Sequence, residues 1–428
     1  MQTNTTNYIT TIKTDKFKTT VIKVAFKAKL SRETITKRNL LADVLRNSSR
    51  NFPSKKILSA HLEDLYGASL SVSAKKQGTV HAISFYIQVA NEKFLKSAPP
   101  LFATSLKTLS EVIMNPKIEN NAFDEDVVNL EKRLLKEDIE SVFDDKTTYA
   151  LKKMVEIMCK DENFGINGDG YIEDLPNITN KTLVETYESM LKDDELSIVV
   201  LGDVDHDEVV NMVNANFTVS KNTRHKHEAI DREDKFLGDV SVLKENQSIN
   251  QAKLNIGYRT FTRVGDKDYF DILVFNGVFG AFAHSKLFVN VREKESLCYY
   301  CASQVDNFKG IMYVYSGLDL AQVEKAKTII DKQLEDICLG NITDQELNLA
   351  KKSIVNAKRS ALDSASGMLS DLEASLLLGI TSEDFIKKIE DVTKEDVVAV
   401  AKKIKKDTIF TLEPMVSQTQ AVVDGEVL

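Results

Sequence analysis

Residues 172–201 read IEDLPNITNKTLVETYESMLKDDELSIVVL, and residues 389–412 read IEDVTKEDVVAVAKKIKKDTIFTL. Both stretches begin with Ile-Glu-Asp and continue to a threonine, Thr179 or Thr393, with apolar or small side chains 4, 8 and 11 positions later. This spacing predicts an amphipathic helix with an N-capping threonine, followed by an apolar strand. Because the same unit occurs twice, the sequence predicts an internal duplication.

Earlier elements of the two halves also correspond. Residues 22–30 alternate apolar side chains with lysines, which predicts a strand with one wet face, and residues 252–258 predict its counterpart. A helical pattern over 124–159 corresponds to one that follows Thr343, and another helix is predicted over 94–113. Strands, helices and a returning strand in each half predict an α+β fold, with helices packed on one face of a mainly antiparallel sheet.

The domain boundaries follow from the duplication. A chain of 428 residues with 43% hydrophobic content is long enough for two folded domains. We expect an N-terminal domain at 1–219, a charged linker at 220–238 and a C-terminal domain at 239–428, which would leave a cleft between the domains.

The composition argues against several classes of partner. The 56 basic and 64 acidic residues give a net charge of -8 without a long block of one sign, so nucleic acid and anionic membrane are poor partners. Residues 1–16 have no apolar core of a secretory signal, and the uncharged run at 272–285 is too short to span a bilayer. We therefore expect a cytoplasmic protein.

Four cysteines are too few to predict a disulfide framework. Cys298 and Cys301 have the Cys-x-x-Cys spacing, but no second pair or matching histidines accompany them. We expect them to be small buried residues of a strand.

Residues 277–300 read GVFGAFAHSKLFVNVREKESLCYY. This run closely resembles the second-half signature of the M16 (pitrilysin/insulinase/mitochondrial-processing-peptidase-like) metallopeptidases. The Leu-Glu-Asp-Leu-Tyr-Gly-Ala run at 62–68 and the Gly-Asp-Val-Asp run at 202–205 also resemble family landmarks, so the resemblance covers nearly the whole chain. It is closest to the YfmF-like bacterial branch, which lacks zinc ligands, and it implies two tandem homologous LuxS/MPP-like metallohydrolase domains.

The resemblance implies a function for Arg292 and Tyr299. They match the Arg/Tyr pair that reaches the substrate and stabilises the tetrahedral intermediate, for which a guanidinium and a phenol are suitable donors. From residue types alone, Arg292 in a helix-end ion pair and Tyr299 packed on a strand would be the simpler interpretation. Ser296 stands where the family usually has glycine, at the turn that aims Tyr299.

An active member of this family needs a His-x-x-Glu-His helix, in which two imidazoles bind zinc and the glutamate activates water. The sequence contains no such motif. By order of elements, residues 39–46 would carry it, and their candidate positions are mostly apolar. The family's third ligand lies in a pattern that resembles the stretch from Glu131 to Asp138, with Asp138 at the ligand position.

Other sites have weaker support. His61 with Asp64, and His225 with His227, are pairs of metal-binding side chains at short spacing, but a surface helix and a charged linker explain them better. No Walker or dinucleotide-type glycine loop and no Gly-x-Ser-x-Gly elbow occurs.

Three functions remain open at this point. The first is a non-catalytic subunit without a cofactor of its own, which binds an extended peptide and adds Arg292 and Tyr299 to the active site of a homologous zinc-bearing partner. The second is a catalytically dead scaffold or peptide holder. The third, and the weakest, is an autonomous zinc peptidase with atypical ligands around His61, Asp64 and Asp138.

Overall fold

A computed structural model describes residues 2–96, 99–217, 227–236 and 238–415. Its strands are β1 Gln2–Thr6, β2 Ile9–Lys13, β3 Thr19–Lys29, β4 Ser69–Gln77, β5 Val80–Ala90, β6 Ile118–Glu119, β7 Ala122–Phe123, β8 Glu195–Gly202, β9 Ser241–Gln247, β10 Ala252–Arg259, β11 Cys298–Asp306, β12 Ile311–Leu318 and β13 Lys405–Pro414.

Its α-helices are α1 Ile35–Leu45, α2 Lys55–Asp64, α3 Leu101–Met114, α4 Glu125–Ser141, α5 Lys146–Met158, α6 Asn180–Asp193, α7 His206–Asn216, α8 Tyr269–Asn276, α9 Val323–Cys338, α10 Asp344–Ala361, α11 Ala365–Leu378, α12 Ser382–Asp391 and α13 Lys394–Ala401. Two further segments, Gly277–Ala281 and Phe288–Lys294, are π-helical. None of the helices described is both long and apolar enough to cross a membrane.

The predicted duplication is visible in the strand order of the two large sheets. The first sheet has the order β1-β2-β8-β3-β5-β4, and the second has the order β11-β12-β10-β13-β9. Apart from β1, the first order read from its far end matches the second strand for strand. Each sheet has one parallel pair in the described chain, β2 with β8 in the first and β9 with β13 in the second, and its remaining pairs are antiparallel. This confirms an α+β fold with two mainly antiparallel sheets of the same topology.

The repeated helix–strand unit forms as the sequence predicts. Thr179 caps α6 and Thr393 caps α13, each through a reciprocal capping box with the residue three positions later. The apolar positions that the spacing assigned to the core are buried in both copies: Leu183, Tyr187 and Met190 in the first, and Val397, Ala401 and Ile404 in the second.

The described chain forms two compact units whose segments are not contiguous in sequence. The first unit draws on Met1–Ser141, Ile166–Asp231 and Ala361–Glu373, and the second on Val142–Gly165, Arg232–Ser360 and Ala374–Leu428. The expected domain boundaries at 219 and 239 stay a prediction. Of the expected linker, 220–226 and 237 lie outside the described residues.

In the first unit, an additional helical segment covers the face of the sheet opposite its main core. Met368, Leu369 and Leu372 of α11 pack against Val21 of β3 and Leu201 of β8. The expectation that β3 has one wet face holds only in part, because the α11 segment covers this face at Val21 and because Ala25 is buried there as well. Of the lysines that marked the wet face, Lys23 and Lys27 are partly exposed and Lys29 is exposed, and Lys23 pairs with Glu373 at the end of the segment.

In the second unit, α5 covers the face of the sheet opposite the main core. Met154 and Met158 pack near Phe410 and Leu412 of β13. A Cβ atom at Gly257 of β10 would lie 2.6 Å from the Met158 sulfur, so the glycine there permits close approach of the helix.

The single helix expected over 124–159 is two helices. The first, α4, ends at Ser141, and α5 starts after Asp145, whose side chain caps it by accepting from the amides of Thr147 and Thr148. The helical periodicity continues across the break, which is why the sequence pattern concealed it.

The helix expected over 94–113 starts later than predicted. Only a short 3₁₀ turn, Glu92–Phe94, occupies the expected beginning, and α3 begins at Leu101. Prolines precede it at positions 99 and 100, and a proline restricts the residue before it to extended conformations while donating no amide hydrogen bond.

Candidate functional site

Arg292 lies in the last turn of the π-helix Phe288–Lys294 in the second unit. Its guanidinium carbon is 4.6 Å from the centre of the Phe288 ring, one turn earlier, and the side chain is otherwise exposed. Among the residues that the structure describes, none forms an ion pair with Arg292. The ring of Phe288 thus supports the guanidinium while most of its five N–H donors remain available to a ligand.

The turn between Arg292 and β11 has a left-handed residue. Ser296 has φ of 52°, a conformation that glycine adopts freely and that costs other residues free energy. The departure from glycine at this position therefore does not abolish the turn. Leu297 follows it and is buried in the core of the second unit, which anchors the start of β11.

Tyr299 projects from a bulge in β11. Cys298 pairs with Leu318 of β12 and Tyr300 pairs with Gly317, so Tyr299 is the extra, unpaired residue between them. Its side chain is 74% exposed. Since β11 is an edge strand of the second sheet, the bulge presents a free phenol at the sheet margin.

Tyr300 fixes the bulge from the other side. Its hydroxyl lies 3.1 Å from Oγ1 of Thr147 on α5, and a Cβ atom at Gly317 would come within 2.7 Å of its ring. Only glycine on β12 leaves room for this ring. Tyr300 is thus held in place, while the side chain of Tyr299 stays exposed.

Arg292 and Tyr299 do not have the ion-paired and packed environments that residue types alone suggested. That interpretation had Arg292 in a helix-end ion pair and Tyr299 packed on a strand. The nearby acid Glu295 instead pairs with Lys325 at 2.6 Å. The two donors are exposed, lie on consecutive elements, and are connected by a turn and a bulge that the surrounding packing maintains.

A stabilising substitution follows from the strained turn. Ser296→Gly should raise the free energy of unfolding by about 1 kcal/mol, because glycine has no Cβ to oppose a positive φ. Ser296→Ala, which keeps the Cβ, is the matched control and should give no such gain. Denaturant unfolding of the three proteins measures the difference, and equal stability of all three would contradict the strain.

The helix that would carry a zinc motif is α1 in the first unit. Leu40 and Val44, one turn apart, are buried in the hydrophobic core, where neither can bind a metal. Asp43 lies between them in sequence and faces α4, where it experiences the charges of Glu131 and Asp138. The helix that would carry the zinc motif thus has apolar side chains packed in the core at Leu40 and Val44, where a zinc site would need imidazoles.

An arginine and an asparagine occupy the space between α1 and α4. Glu131 is buried and accepts a hydrogen bond of 2.9 Å from Asn47, while Arg46 lies 3.4 Å from Asp43 and 3.7 Å from Glu131. These neighbours satisfy the carboxylates that a cation would otherwise require. Asp138, the expected counterpart of the third ligand, is exposed on α4.

The other candidate metal ligands are not brought together. His61 bonds to the Thr108 hydroxyl at 2.8 Å and stacks on Phe52, and Asp64 is exposed at the end of α2. His225 lies outside the described residues. Within the ranges described, no group of three or more His, Cys, Asp or Glu side chains has an arrangement that could hold a metal ion.

Asp43 gives a pH-dependent prediction. Burial, together with the charges of Glu131 and Asp138 and against that of Arg46, raises its pKa from 3.8 to about 6. The folded state therefore holds a proton that the unfolded state releases, and stability decreases as the pH rises from 3.8 to about 6, by about 1.4 kcal/mol per unit of pKa shift.

Asp43→Asn should therefore stabilise the protein at pH 8 and change little at pH 4, because the amide carries no charge to desolvate. Thermal unfolding at both pH values measures this, with Asp64→Asn on the exposed end of α2 as the control. A variant equally stabilised at both pH values would show that packing, and not ionisation of Asp43, is responsible.

Comparison with known proteins places the whole chain in one family. Residues 177–354 match the family described as Peptidase M16 inactive domain. The chain is 38% identical over 404 residues to "Probable inactive metalloprotease YmfF" of Bacillus subtilis (strain 168), covering 94% of each protein. It is 24% identical to "Uncharacterized zinc protease YmxG" of the same organism, covering 67% of this chain and 69% of that protein.

Solved structures share the fold of this chain. A conserved protein from Enterococcus faecalis V583 superposes with a TM-score of 0.89 at 34% identity, covering 96% of both chains. A peptidase M16 inactive domain from Pseudomonas fluorescens has the same fold, with a TM-score of 0.78 at 17% identity, and covers 97% of this chain and 99% of that one. With a relative of 38% identity along almost its entire length, and two sheets of duplicated topology, this chain belongs to the M16 peptidase family, in its inactive branch.

Proposed function

We propose that this protein is a non-catalytic M16 subunit, which binds an extended peptide and supplies Arg292 and Tyr299 to the active site of a zinc-bearing homologous partner. The zinc belongs to the partner. We place the complex in the cytoplasm, where the four free cysteines of the chain would stay reduced.

The observation that carries this proposal is that Arg292 and Tyr299 are both exposed, on consecutive elements of the second unit. A tyrosine that is 74% exposed on a bulge contributes little to the stability of its own fold, and neither does an exposed arginine that pairs with no carboxylate in the described chain. Both are strong donors to an oxyanion. Their arrangement is therefore better explained by a ligand than by packing.

Peptide binding is supported by the free edge of the first sheet. As far as the chain is described, β4 pairs only with β5, so its other edge offers backbone donors and acceptors. Alternate side chains of β4 are exposed. An extended peptide can add to such an edge through main-chain hydrogen bonds, which give little sequence preference.

A scaffold that binds peptide without entering a catalytic complex is the alternative. The packed position of Leu40 and Val44 on α1 is equally consistent with it, but the exposed Arg292 and Tyr299 are not needed for it. An autonomous zinc peptidase has the least support, since His61 and Asp64 are separately engaged or exposed and Asp138 lies on a different helix.

The test is a mixing experiment. The purified chain, after metal analysis, is assayed on a peptide library alone and then together with a zinc-bearing homologue from the same genome. The proposal expects no bound zinc and no activity alone, and activity in the mixture that exceeds that of the homologue by itself. Arg292→Ala should remove this gain, whereas Arg359→Ala, at an exposed arginine of α10, should retain it.

The outcomes separate the three functions. Zinc-dependent turnover by the chain alone would overturn the proposal in favour of an autonomous peptidase. Peptide binding by the chain, with no gain of activity in any mixture, would favour the scaffold. A gain that survives Arg292→Ala would retain a subunit function and remove Arg292 from it.

A further inference from the structure

Two cysteines flank the exposed tyrosine of the candidate site. Cys298 and Cys301 are both free thiols on β11, the first partly buried and the second buried. The other two cysteines lie elsewhere, Cys159 after α5 and Cys338 at the end of α9. The sequence pattern suggested that Cys298 and Cys301 serve only as small core residues, but their geometry gives them a further property.

The bulge at Tyr299 brings the two thiols to the same face of the sheet. In a regular strand, residues three apart point to opposite faces. Here Cys298 is opposite Leu318 and Cys301 is opposite Ser316, and these two partners are two residues apart on β12. Both cysteines therefore share one face, separated by a single intervening ladder position, because Tyr299 takes no place in the ladder.

The surroundings divide the two thiols into different chemical roles. A hydrogen bond with Cys301, another with Ser316 and the charge of Arg292 lower the pKa of Cys298 to about 7, although burial opposes this. The same hydrogen bond with Cys298, together with burial, raises the pKa of Cys301 well above its usual value. Cys298 thus supplies a thiolate near neutral pH, and Cys301 supplies a protonated thiol beside it.

We propose that Cys298 and Cys301 form a redox-active dithiol, which a hydroperoxide oxidises to an intramolecular disulfide. This disulfide prevents Arg292 and Tyr299 from contributing to the shared active site. The effect on these two residues rests on the function proposed above. The thiol chemistry itself does not.

Oxidation of the two thiols by the hydroperoxide proceeds in two steps. The Cys298 thiolate attacks one peroxide oxygen, the O–O bond breaks, and Cys298 becomes a sulfenic acid while the other oxygen leaves as hydroxide and takes up a proton. The Cys301 sulfur then attacks the Cys298 sulfur, the S–O bond breaks, and water leaves with the thiol proton. Two thiols lose two electrons in total, and one hydroperoxide gains them.

The disulfide changes the site in two ways. It requires the two sulfurs to approach to about 2.05 Å, which closes a short loop around the bulge and reorients Tyr299. It also removes the thiolate, the neighbouring charge with which Arg292 interacts. Both changes act on the segment that connects Arg292 with Tyr299, so the oxidised chain should contribute less to a shared active site.

The chemical arm of the test uses the full-length reduced chain and one equivalent of hydrogen peroxide. We expect the loss of two thiols and of two hydrogen masses, with the disulfide located by proteolysis and mass spectrometry between Cys298 and Cys301. Cys301→Ser should stop at a sulfenic acid on Cys298 that dimedone traps, and Cys298→Ser should form no disulfide. Cys338→Ser is the matched control and should behave as wild type.

The functional arm adds the oxidised chain, freed of peroxide by catalase, to the zinc-bearing homologue. We expect at least a fivefold smaller gain in activity than with the reduced chain, restored by dithiothreitol, and no effect of prior peroxide on the Cys298→Ser chain. If peroxide oxidised Cys338 first, or formed no disulfide between Cys298 and Cys301, the proposed redox-active dithiol would be wrong.

A disulfide that forms but leaves an Arg292-dependent gain unchanged overturns the switch alone. If instead the disulfide forms and no mixture shows an Arg292-dependent gain, the dithiol stands and the proposed subunit function fails. The two failures are therefore distinguishable.

Discussion

Replacing Tyr299 by phenylalanine should lower kcat by about a hundredfold in the mixture of this chain with its zinc-bearing homologue, with a much smaller change in KM. The phenol is exposed on the bulge of β11 and has no hydrogen-bond partner among the described residues, so the substitution removes one hydroxyl without disturbing the fold. Loss of a single oxyanion donor from a preorganised site typically costs 10²–10³ in kcat, or about 2.7–4 kcal/mol.

Arg292→Lys should give a loss of similar size. Lysine keeps the charge but not the planar set of donors, and it gives up the stacking of the guanidinium on Phe288. A guanidinium that served only long-range attraction of substrate would tolerate this change.

The controls for both variants are single substitutions of the same type elsewhere. Tyr8→Phe, at a partly exposed tyrosine before β2, and Arg359→Lys on α10 should leave the mixed activity within about twofold. Steady-state kinetics over a range of peptide concentrations separates kcat from KM. If Tyr299→Phe changed only KM, Tyr299 would bind the peptide without stabilising the transition state.

The repeated helix–strand unit could be predicted because its signals are local. Thr179 and Thr393 open helices whose buried positions recur every three to four residues, and both helices form with those caps. The duplicated strand order then follows from the same local patterns occurring twice. Apart from β1, the strand orders of the two large sheets agree, as the predicted duplication requires.

What the sequence could not predict depends on tertiary packing. The pattern from 124 to 159 is helical throughout, yet Asp145 starts a new helix that packs on the second sheet and not on the first. Likewise, nothing in the alternation of β3 shows that Met368 and Leu372, far along the chain, cover its outer face. Periodicity reports that a face is apolar but not which element will cover it.

The candidate site, too, could be predicted only in part from the sequence. The family resemblance singled out Arg292 and Tyr299 and placed a turn at Ser296, whereas residue types alone favoured an ion-paired arginine and a packed tyrosine. The bulge that exposes Tyr299 and pairs Cys298 with Cys301 could not be predicted, because it depends on the register of β11 against β12. One extra residue in an edge strand thus gives both the exposed phenol and the thiol pair.

A buried charge network gives the second prediction with a large expected effect. Both carboxylate oxygens of Glu162 lie 3.0 Å from the Arg259 guanidinium, and one of them is 2.8 Å from the Lys309 ammonium. All three side chains are buried, and Arg259 also bonds to Asp407 at 2.8 Å. Glu162 thus connects the segment that follows α5 to the second sheet of its own unit.

Glu162→Gln should lower the free energy of unfolding by about 3–5 kcal/mol, because a neutral amide replaces the buried carboxylate that contacts both the Arg259 and the Lys309 cations. The exposed Glu156 on α5 pairs with Lys153 at 3.1 Å, and Glu156→Gln is the matched control, with an expected loss below about 1 kcal/mol. Adding Lys309→Met to Glu162→Gln removes one of the two buried cations that contact position 162 and should recover part of the loss.

The pH dependence distinguishes this ionic mechanism from a loss of packing. Burial opposes ionisation of Glu162, but hydrogen bonds from Lys309 and Arg259 prevail and hold its pKa below the ordinary value of 4.5. A carboxylate with a lowered pKa contributes stability above that ordinary value, and the contribution is lost as the pH falls through the folded-state pKa. Urea unfolding at pH 7 and at pH 3.5 should therefore show a smaller gap between wild type and Glu162→Gln at the acidic pH. A gap that stays constant with pH would mean that Glu162 stabilises the second unit by its shape and not by its charge.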